Sequence, residues 1–132
     1  MARKHFTQFS ADESGFIHGF IRKRVQPLVH GSAHFYDRAG DRHFTLADAA
    51  ETLRTGSVIE IHNDRGEWRA LVRSRIGTCV VVSLESNLVL TVYYNNPTDN
   101  HETLNHSLYQ GGKAIDAVAV IKNLVQQRRQ RT

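Results

Sequence analysis

The sequence predicts an α+β fold in which N-terminal helices precede a four-stranded antiparallel meander and a C-terminal helix. Apolar residues recur at helical spacing before Gly56, alternate with polar residues from Ser57 onwards, and return to helical spacing after Gly112. These changes of period place helices at both ends of the chain and strands between them. With 132 residues the chain has the length of one ordinary domain, so we expect a single domain over residues 1–132.

The first helix is predicted from about Ala11 to Gln26. Ser10 and Glu13 form a capping-box pattern at its start, and Pro27 ends it because proline has no amide hydrogen to donate. One helical stripe holds the apolar residues Phe16, Ile17, Phe20 and Ile21. This stripe predicts the buried face of the helix.

Two shorter helices are predicted next. One spans roughly Ser32 to Asp41. Thr45 and Asp48 then repeat the capping-box pattern, which predicts a third helix that ends near Gly56, because glycine is common after helix ends.

The central strands follow. Alternating residues on both sides of the turn-forming stretch Asn63–Gly66 predict a β-hairpin, and Glu60 and His62 occupy the polar positions of its first strand. The valine-rich run Thr78–Leu84 predicts a strand that is covered on both faces. A fourth strand, Leu88–Tyr94, completes the predicted meander.

A last helix is predicted over about Lys113 to Gln130. Its apolar residues fall mostly on one side. The basic residues at its end are Arg128, Arg129 and Arg131.

The composition favours a folded chain with an anionic partner. Hydrophobic residues make up 40% and charged residues 23%, a balance that argues against extended disorder. The formal net charge is +4 and the pI is about 9.6, which favours a polyanion such as RNA. Cys79 is the single cysteine, so no disulfide forms within the chain. The first residues lack a secretory pattern and no apolar run reaches the roughly 20 residues of a membrane span, so we expect a cytoplasmic protein.

His34, Arg38 and Arg42 lie four residues apart within and just after the second predicted helix. This spacing places an imidazole and two guanidinium groups on one helix face. Such groups suit a site that binds a phosphate and moves a proton beside it. We therefore take His34 as a candidate general base and Arg38 or Arg42 as phosphate ligands.

Residues of the predicted sheet extend this candidate site. Arg69 and Arg73 share one face of a strand and would add positive charge. Thr91 and Tyr93 share one face of the fourth strand, and their hydroxyl groups would orient the phosphate or the leaving group if that face meets the helix of His34. Such a site would cleave RNA through attack by the 2′-hydroxyl and needs no metal or cofactor.

The block from Ser32 to Asn95 resembles a family of small domains with the pattern His-x3-Arg-x3-Arg, a short helix, a glycine, and strands that end in Thr-Val-Tyr. The matching residues are His34, Arg38, Arg42, Gly56 and Thr91–Tyr93. That family is grouped with the barnase, EndoU, colicin and RelE type of ribonuclease fold, which includes toxins and a phage endoribonuclease. The resemblance implies a ribonuclease-toxin-like core at 32–95, with helical additions at 1–31 and 96–132.

Structural interpretations compete with this site. Arg38 and Arg42 would also pair with nearby carboxylates on a solvated face, and Arg69, Arg73, Thr91 and Tyr93 suit ordinary strand positions. His30 and His34 have the i, i+4 spacing of metal ligands and His43 follows, but no cysteine pair accompanies them.

Two functions follow from these observations. The first is a metal-independent endoribonuclease, or an RNA-binding protein of the same type, with His34 as base. The alternative is a binding module without catalysis, such as a phage or toxin-associated protein that captures a host protein, an inhibitor protein or a nucleic acid.

Overall fold

The computed structural model of the chain describes residues 2–41, 43–94 and 111–130. It confirms the α+β class, with one mixed sheet in the strand order β1-β3-β4-β5-β6-β2. The strands are β1 Ala2–His5, β2 His30–Gly31, β3 Ser57–Asp64, β4 Glu67–Arg73, β5 Thr78–Ser83 and β6 Leu88–Tyr94. Within those ranges the helices are α1 Ala11–Phe20, α2 Ala33–Asp41, α3 Leu46–Thr55 and α4 Ala117–Gln130.

The predicted meander is confirmed, because β3, β4, β5 and β6 pair antiparallel in chain order. Strands β3 and β4 are joined by Arg65 and Gly66, whose φ angles are 54° and 90°. Positive φ at both residues is the geometry of a tight hairpin turn. Asn63 stabilises the turn, since its Oδ1 accepts the Gly66 amide hydrogen bond at 2.9 Å.

The sheet has six strands and not the four that the sequence predicts. Strand β1 pairs antiparallel with β3 at one edge, and the short strand β2 pairs parallel with β6 at the other. Strand β1 contains Arg3, Lys4 and His5 and has no apolar alternation, while β2 has two residues. Neither segment carries the periodic signal by which a strand is recognised from sequence.

The helix boundaries differ from the predictions at two places. α1 ends at Phe20, and the chain continues as a wider π-helical turn over Ile21–Val25 and a 3-10 turn over Gln26–Leu28. Pro27 explains the irregular ending, because its ring is incompatible with a regular helix interior. α4 begins at Ala117, after a separate 3-10 turn at Gly112–Ala114.

All the described helices contribute to one hydrophobic core on one face of the sheet. A smaller apolar cluster lies on the other face, which we call the second sheet face. It consists of Ile59, Leu71, Cys79 and neighbouring residues. The sheet therefore separates a thick apolar layer from a face that also carries charged side chains. None of the helices in the described ranges is both long and apolar enough to cross a membrane.

A β-bulge in β3 sets which side chains reach each face. The pairing with β4 shifts between Val58 and Glu60, so Ile59 joins the second sheet face while Ile61 packs in the main core. Next to the bulge, the Val58 amide donates a hydrogen bond of 3.1 Å to His18 Nε2. His18 on α1 is thereby a structural link between the helical layer and the sheet.

Candidate functional site

The structure places His34 and Arg38 on α2, in the helical layer. Ser32 caps this helix, because its hydroxyl oxygen accepts the Phe35 amide hydrogen bond at 2.9 Å. Phe35 and Ala39 face the main core, while His34 and Arg38 are exposed. Helix α2 is thus amphipathic, with a buried apolar side and an exposed side that carries His34 and Arg38.

Thr91 and Tyr93 lie on the opposite side of the sheet from the core that α2 joins. Val92, between them on β6, is fully buried in the main core with Phe35. Tyr93 instead packs in the cluster on the second sheet face. The structure therefore does not bring these hydroxyl groups together with His34. Arg42, the remaining residue of the predicted helix face, lies outside the described residues.

Arg69 and Arg73 are on the same side as Thr91 and Tyr93. The register pairs Arg73 with Cys79, and Cys79 with Tyr93, so Arg73 and Tyr93 project from the second sheet face two strands apart. The predicted site residues thus form two groups, one in the helical layer and one across the sheet.

The group of predicted residues on the second sheet face has a histidine beside it, His62 on β3. Its cross-strand neighbours are Arg3 on β1 and Arg69 on β4. Side chains directly opposite one another on paired strands share a face and are close enough to interact. His62 therefore lies between two guanidinium-bearing residues.

Glu60 adds a carboxylate to this group. Its Oε2 lies 3.6 Å from His62 Nδ1 and 3.9 Å from Arg3 Nε. The side chains of Glu60 and His62 are 9% and 11% exposed, whereas that of Arg3 is 31% exposed. We call Arg3, Glu60, His62 and Arg69 the β3 polar cluster.

The β3 polar cluster holds His62 in its neutral form. Burial lowers the pKa of His62, the positive charges of Arg3 and Arg69 lower it further, and Asp64 opposes them in part, so that the pKa is about 4. At neutral pH the imidazole therefore carries no charge and retains a nitrogen that accepts a proton.

Arg69 is fixed by two carboxylates near the hairpin turn. Its Nη1 donates to Asp64 Oδ2 at 3.0 Å and its Nε donates to Glu67 Oε1 at 2.7 Å. The three side chains are each about one-third exposed. These bonds hold the Arg69 guanidinium in one orientation beside His62, and the two carboxylates offset its positive charge.

This arrangement has the chemical parts of a phosphodiester site. A neutral imidazole has a nitrogen that accepts a proton, and guanidinium groups are potential phosphate ligands. Each guanidinium already lies beside a carboxylate, Glu60 for Arg3 and Asp64 for Arg69, so a phosphate would compete with these ion pairs. Adjacent strands are about 4.8 Å apart, so Arg3 and Arg69 lie on strands about 10 Å apart, with His62 between them.

Part of this cluster had a signal in the sequence. Glu60 and His62 alternate with isoleucines ahead of a recognisable hairpin turn, and a two-residue turn fixes His62 opposite Arg69. The contribution of Arg3 had no such signal, because it depends on the edge strand β1.

The metal alternative involves residues on three different segments. His30 is on β2, His34 is on α2, and His43 has a φ angle of 52° in the turn after that helix. Within the described part of the chain, no three histidine, cysteine or acidic side chains are grouped so as to hold a metal ion.

Comparison of the chain with protein-family models, with curated proteins and with solved structures finds no match.

Proposed function

We propose that this chain binds RNA and cleaves it without a metal ion, through attack by the ribose 2′-hydroxyl, at the β3 polar cluster. One observation carries the proposal: the neutral imidazole of His62 lies beside a carboxylate and between Arg3 and Arg69. The net charge of +4 also favours an anionic partner. The resemblance of residues 32–95 to ribonuclease-toxin domains supports the activity, but the residues that carry it lie outside the β3 polar cluster.

In the proposed reaction, His62 removes the proton from the 2′-hydroxyl group. The freed oxygen attacks the adjacent phosphorus, and the bond from phosphorus to the 5′-oxygen of the next nucleotide breaks. The products are a 2′,3′-cyclic phosphate and a 5′-hydroxyl end, which receives a proton from water or from a protonated group of the site. Arg3 and Arg69 stabilise the negative charge that develops on the phosphate oxygens.

The remaining predicted residues have a binding role in this proposal. Arg73 and Tyr93 occupy the same sheet face and extend it toward β5 and β6. Thr91 shares that face, opposite Val81.

The test compares an RNA oligonucleotide with a matched oligonucleotide that has a single 2′-deoxyribose, in buffer with a chelator. We expect cleavage of the RNA and not of the position that lacks the hydroxyl group. His62→Gln should lower the rate about 100- to 10,000-fold, the usual contribution of general acid–base catalysis. His34→Gln, on exposed α2, is the matched control and should retain the wild-type rate.

The controls separate the two candidate sites. A large loss for His34→Gln with full activity for His62→Gln would move the chemistry to α2 and overturn the proposed site. Absence of cleavage by the wild-type chain would overturn the catalytic function. Circular dichroism of both variants checks that each retains its fold.

A further inference from the structure

A groove lies on the outer surface where α1 packs against α4. Its volume is about 430 Å³, and its apolar lining includes Phe16, Phe20, Ile121 and Val125. Phe16 is 41% exposed although it is a large aromatic residue. Of these four, Phe16 and the half-buried Val125 are the side chains that a partner could still cover, because Phe20 and Ile121 are already buried.

Two glycines of α1 keep this groove open. Gly15 and Gly19 both line it, and a Cβ atom added to either one would contact no other atom within 4 Å. A side chain at either position would therefore begin in open space and extend into the groove. Glycine destabilises a helix by about 1 kcal/mol relative to alanine. At these two positions it also leaves the groove free of side chains.

The rim of the groove carries more positive than negative charge. Lys23 and Arg24 are exposed at one end, and the Lys122 ammonium lies 5.5 Å from the centre of the Phe16 ring. Asp12 is the acidic residue that lines the other end. The rim is thus basic over an apolar floor.

We propose that this groove binds an acidic amphipathic helix of a partner protein. The ten residues of α1 span about 15 Å, the length of about three turns of a docked helix. Such a helix would insert apolar residues between α1 and α4 and direct carboxylates to Lys23, Arg24 and Lys122. This is the helix-in-groove mode of recognition.

Other occupants fit the groove less well. In a symmetric dimer the three cations of each copy, Lys23, Arg24 and Lys122, would face a single acidic residue of the described lining, Asp12, so the charges across the interface would not balance. A flat membrane surface would contact the rim and would not follow the depression between the two helices. RNA would place charged phosphates against an apolar floor that offers one exposed ring for stacking.

The experiment uses synthetic helical peptides as probes of the full chain. A fluorescent peptide with leucine at helical spacing and glutamate elsewhere is titrated in an anisotropy assay. The control peptides have lysine in place of glutamate, or the same residues in scrambled order. We expect saturable binding of the acidic amphipathic peptide and weaker binding of both controls.

Variants locate the site. Gly19→Leu should weaken binding by at least about tenfold because it fills the groove, and Lys23→Glu should weaken it because it reverses the charge of the rim. Gly40→Leu is the matched control, since a Cβ at this α2 position also contacts nothing within 4 Å. It should bind the peptide as the wild type does.

Several outcomes would overturn the proposal. These are the absence of saturable binding, equal binding of the lysine peptide, and equal loss in Gly19→Leu and Gly40→Leu. The proposal would also fail if Gly19→Leu weakened the binding of anionic lipid vesicles or of RNA but left the binding of the acidic peptide unchanged. RNA cleavage is measured separately on the same variants, so the two proposals succeed or fail independently.

Discussion

At the scale of the residue, His62 shows how the sheet changes the chemistry of one side chain. It is 8% exposed, and burial together with Arg3 and Arg69 lowers its pKa from 6.5 to about 4. The same imidazole on an exposed helix would titrate near neutral pH. The charge of this imidazole at mildly acidic pH therefore depends on its position in the sheet.

This lowered pKa predicts a pH dependence of stability. Between about pH 6.5 and pH 4 the unfolded chain binds a proton at His62 that the folded chain does not, so the free energy of unfolding falls as the pH falls through this window. The decrease in the free energy of unfolding should reach roughly 3 kcal/mol once His62 is protonated in both the folded and the unfolded chain. Urea unfolding of the wild type and of His62→Gln across this range measures it.

His62→Gln should show a shallower decline of stability with falling pH than the wild type. The exposed His34→Gln variant should follow the wild-type curve. If the wild type and His62→Gln have the same slope, the imidazole is not held neutral by its surroundings.

At the scale of the element, the end of α3 is fitted closely to the sheet. Gly56 follows the helix, and its amide donates a hydrogen bond of 2.7 Å to the Thr52 carbonyl oxygen. A Cβ atom on Gly56 would lie 2.6 Å from that oxygen and 2.7 Å from the Arg73 carbonyl oxygen. Both contacts are with backbone, so a side chain here cannot be accommodated by a rotamer change.

We therefore expect Gly56→Ala to lower the free energy of unfolding by about 1–3 kcal/mol, the usual cost of overpacking. Thermal or urea unfolding measures the change. Gly40→Ala on α2 is the control, because its Cβ contacts nothing and alanine favours the helix by up to about 1 kcal/mol. A loss of similar size in both variants would contradict the steric explanation.

At the scale of the whole molecule, a buried ion pair joins the two ends of the described chain. The Nζ atom of Lys4 on β1 lies 2.5 Å from Glu13 Oε2 on α1. It also donates a hydrogen bond of 2.6 Å to the Ile115 carbonyl oxygen. Glu13 Oε2 accepts the Ala117 amide hydrogen bond at 2.9 Å, at the start of α4. Burial raises the pKa of Glu13, but the hydrogen bonds from Lys4, Ser10 and Ala117 outweigh it and lower the pKa overall.

Lys4→Met should therefore lower the free energy of unfolding by about 3–5 kcal/mol, since it leaves the Glu13 carboxylate buried without its cation. The matched control is Arg54→Met, which removes a 2.6 Å ion pair with Glu51 in which both side chains are more than half exposed. Arg54→Met should lower the free energy of unfolding by no more than about 1 kcal/mol. Equal losses in the two variants, measured by urea unfolding, would show that Lys4 does not anchor the N-terminal strand.

Local patterns along the chain suffice to predict the α+β class, the order of the central meander and the starts of α1 and α3. These features are local: the capping boxes of Ser10 and Thr45 and the Arg65–Gly66 turn act within a few residues, and each is present in the structure. Local patterns survive in a single sequence because the interacting residues are close in the chain.

The edges of the sheet and the grouping of the candidate site depend on contacts between distant parts of the chain. Strand β1 exists because it pairs with β3, and this pairing puts Arg3 beside His62. The same sheet separates Thr91 and Tyr93 from the helical layer that holds His34. Such contacts join residues far apart in the chain and depend on the packing of the whole core, so no pattern in the sequence records them.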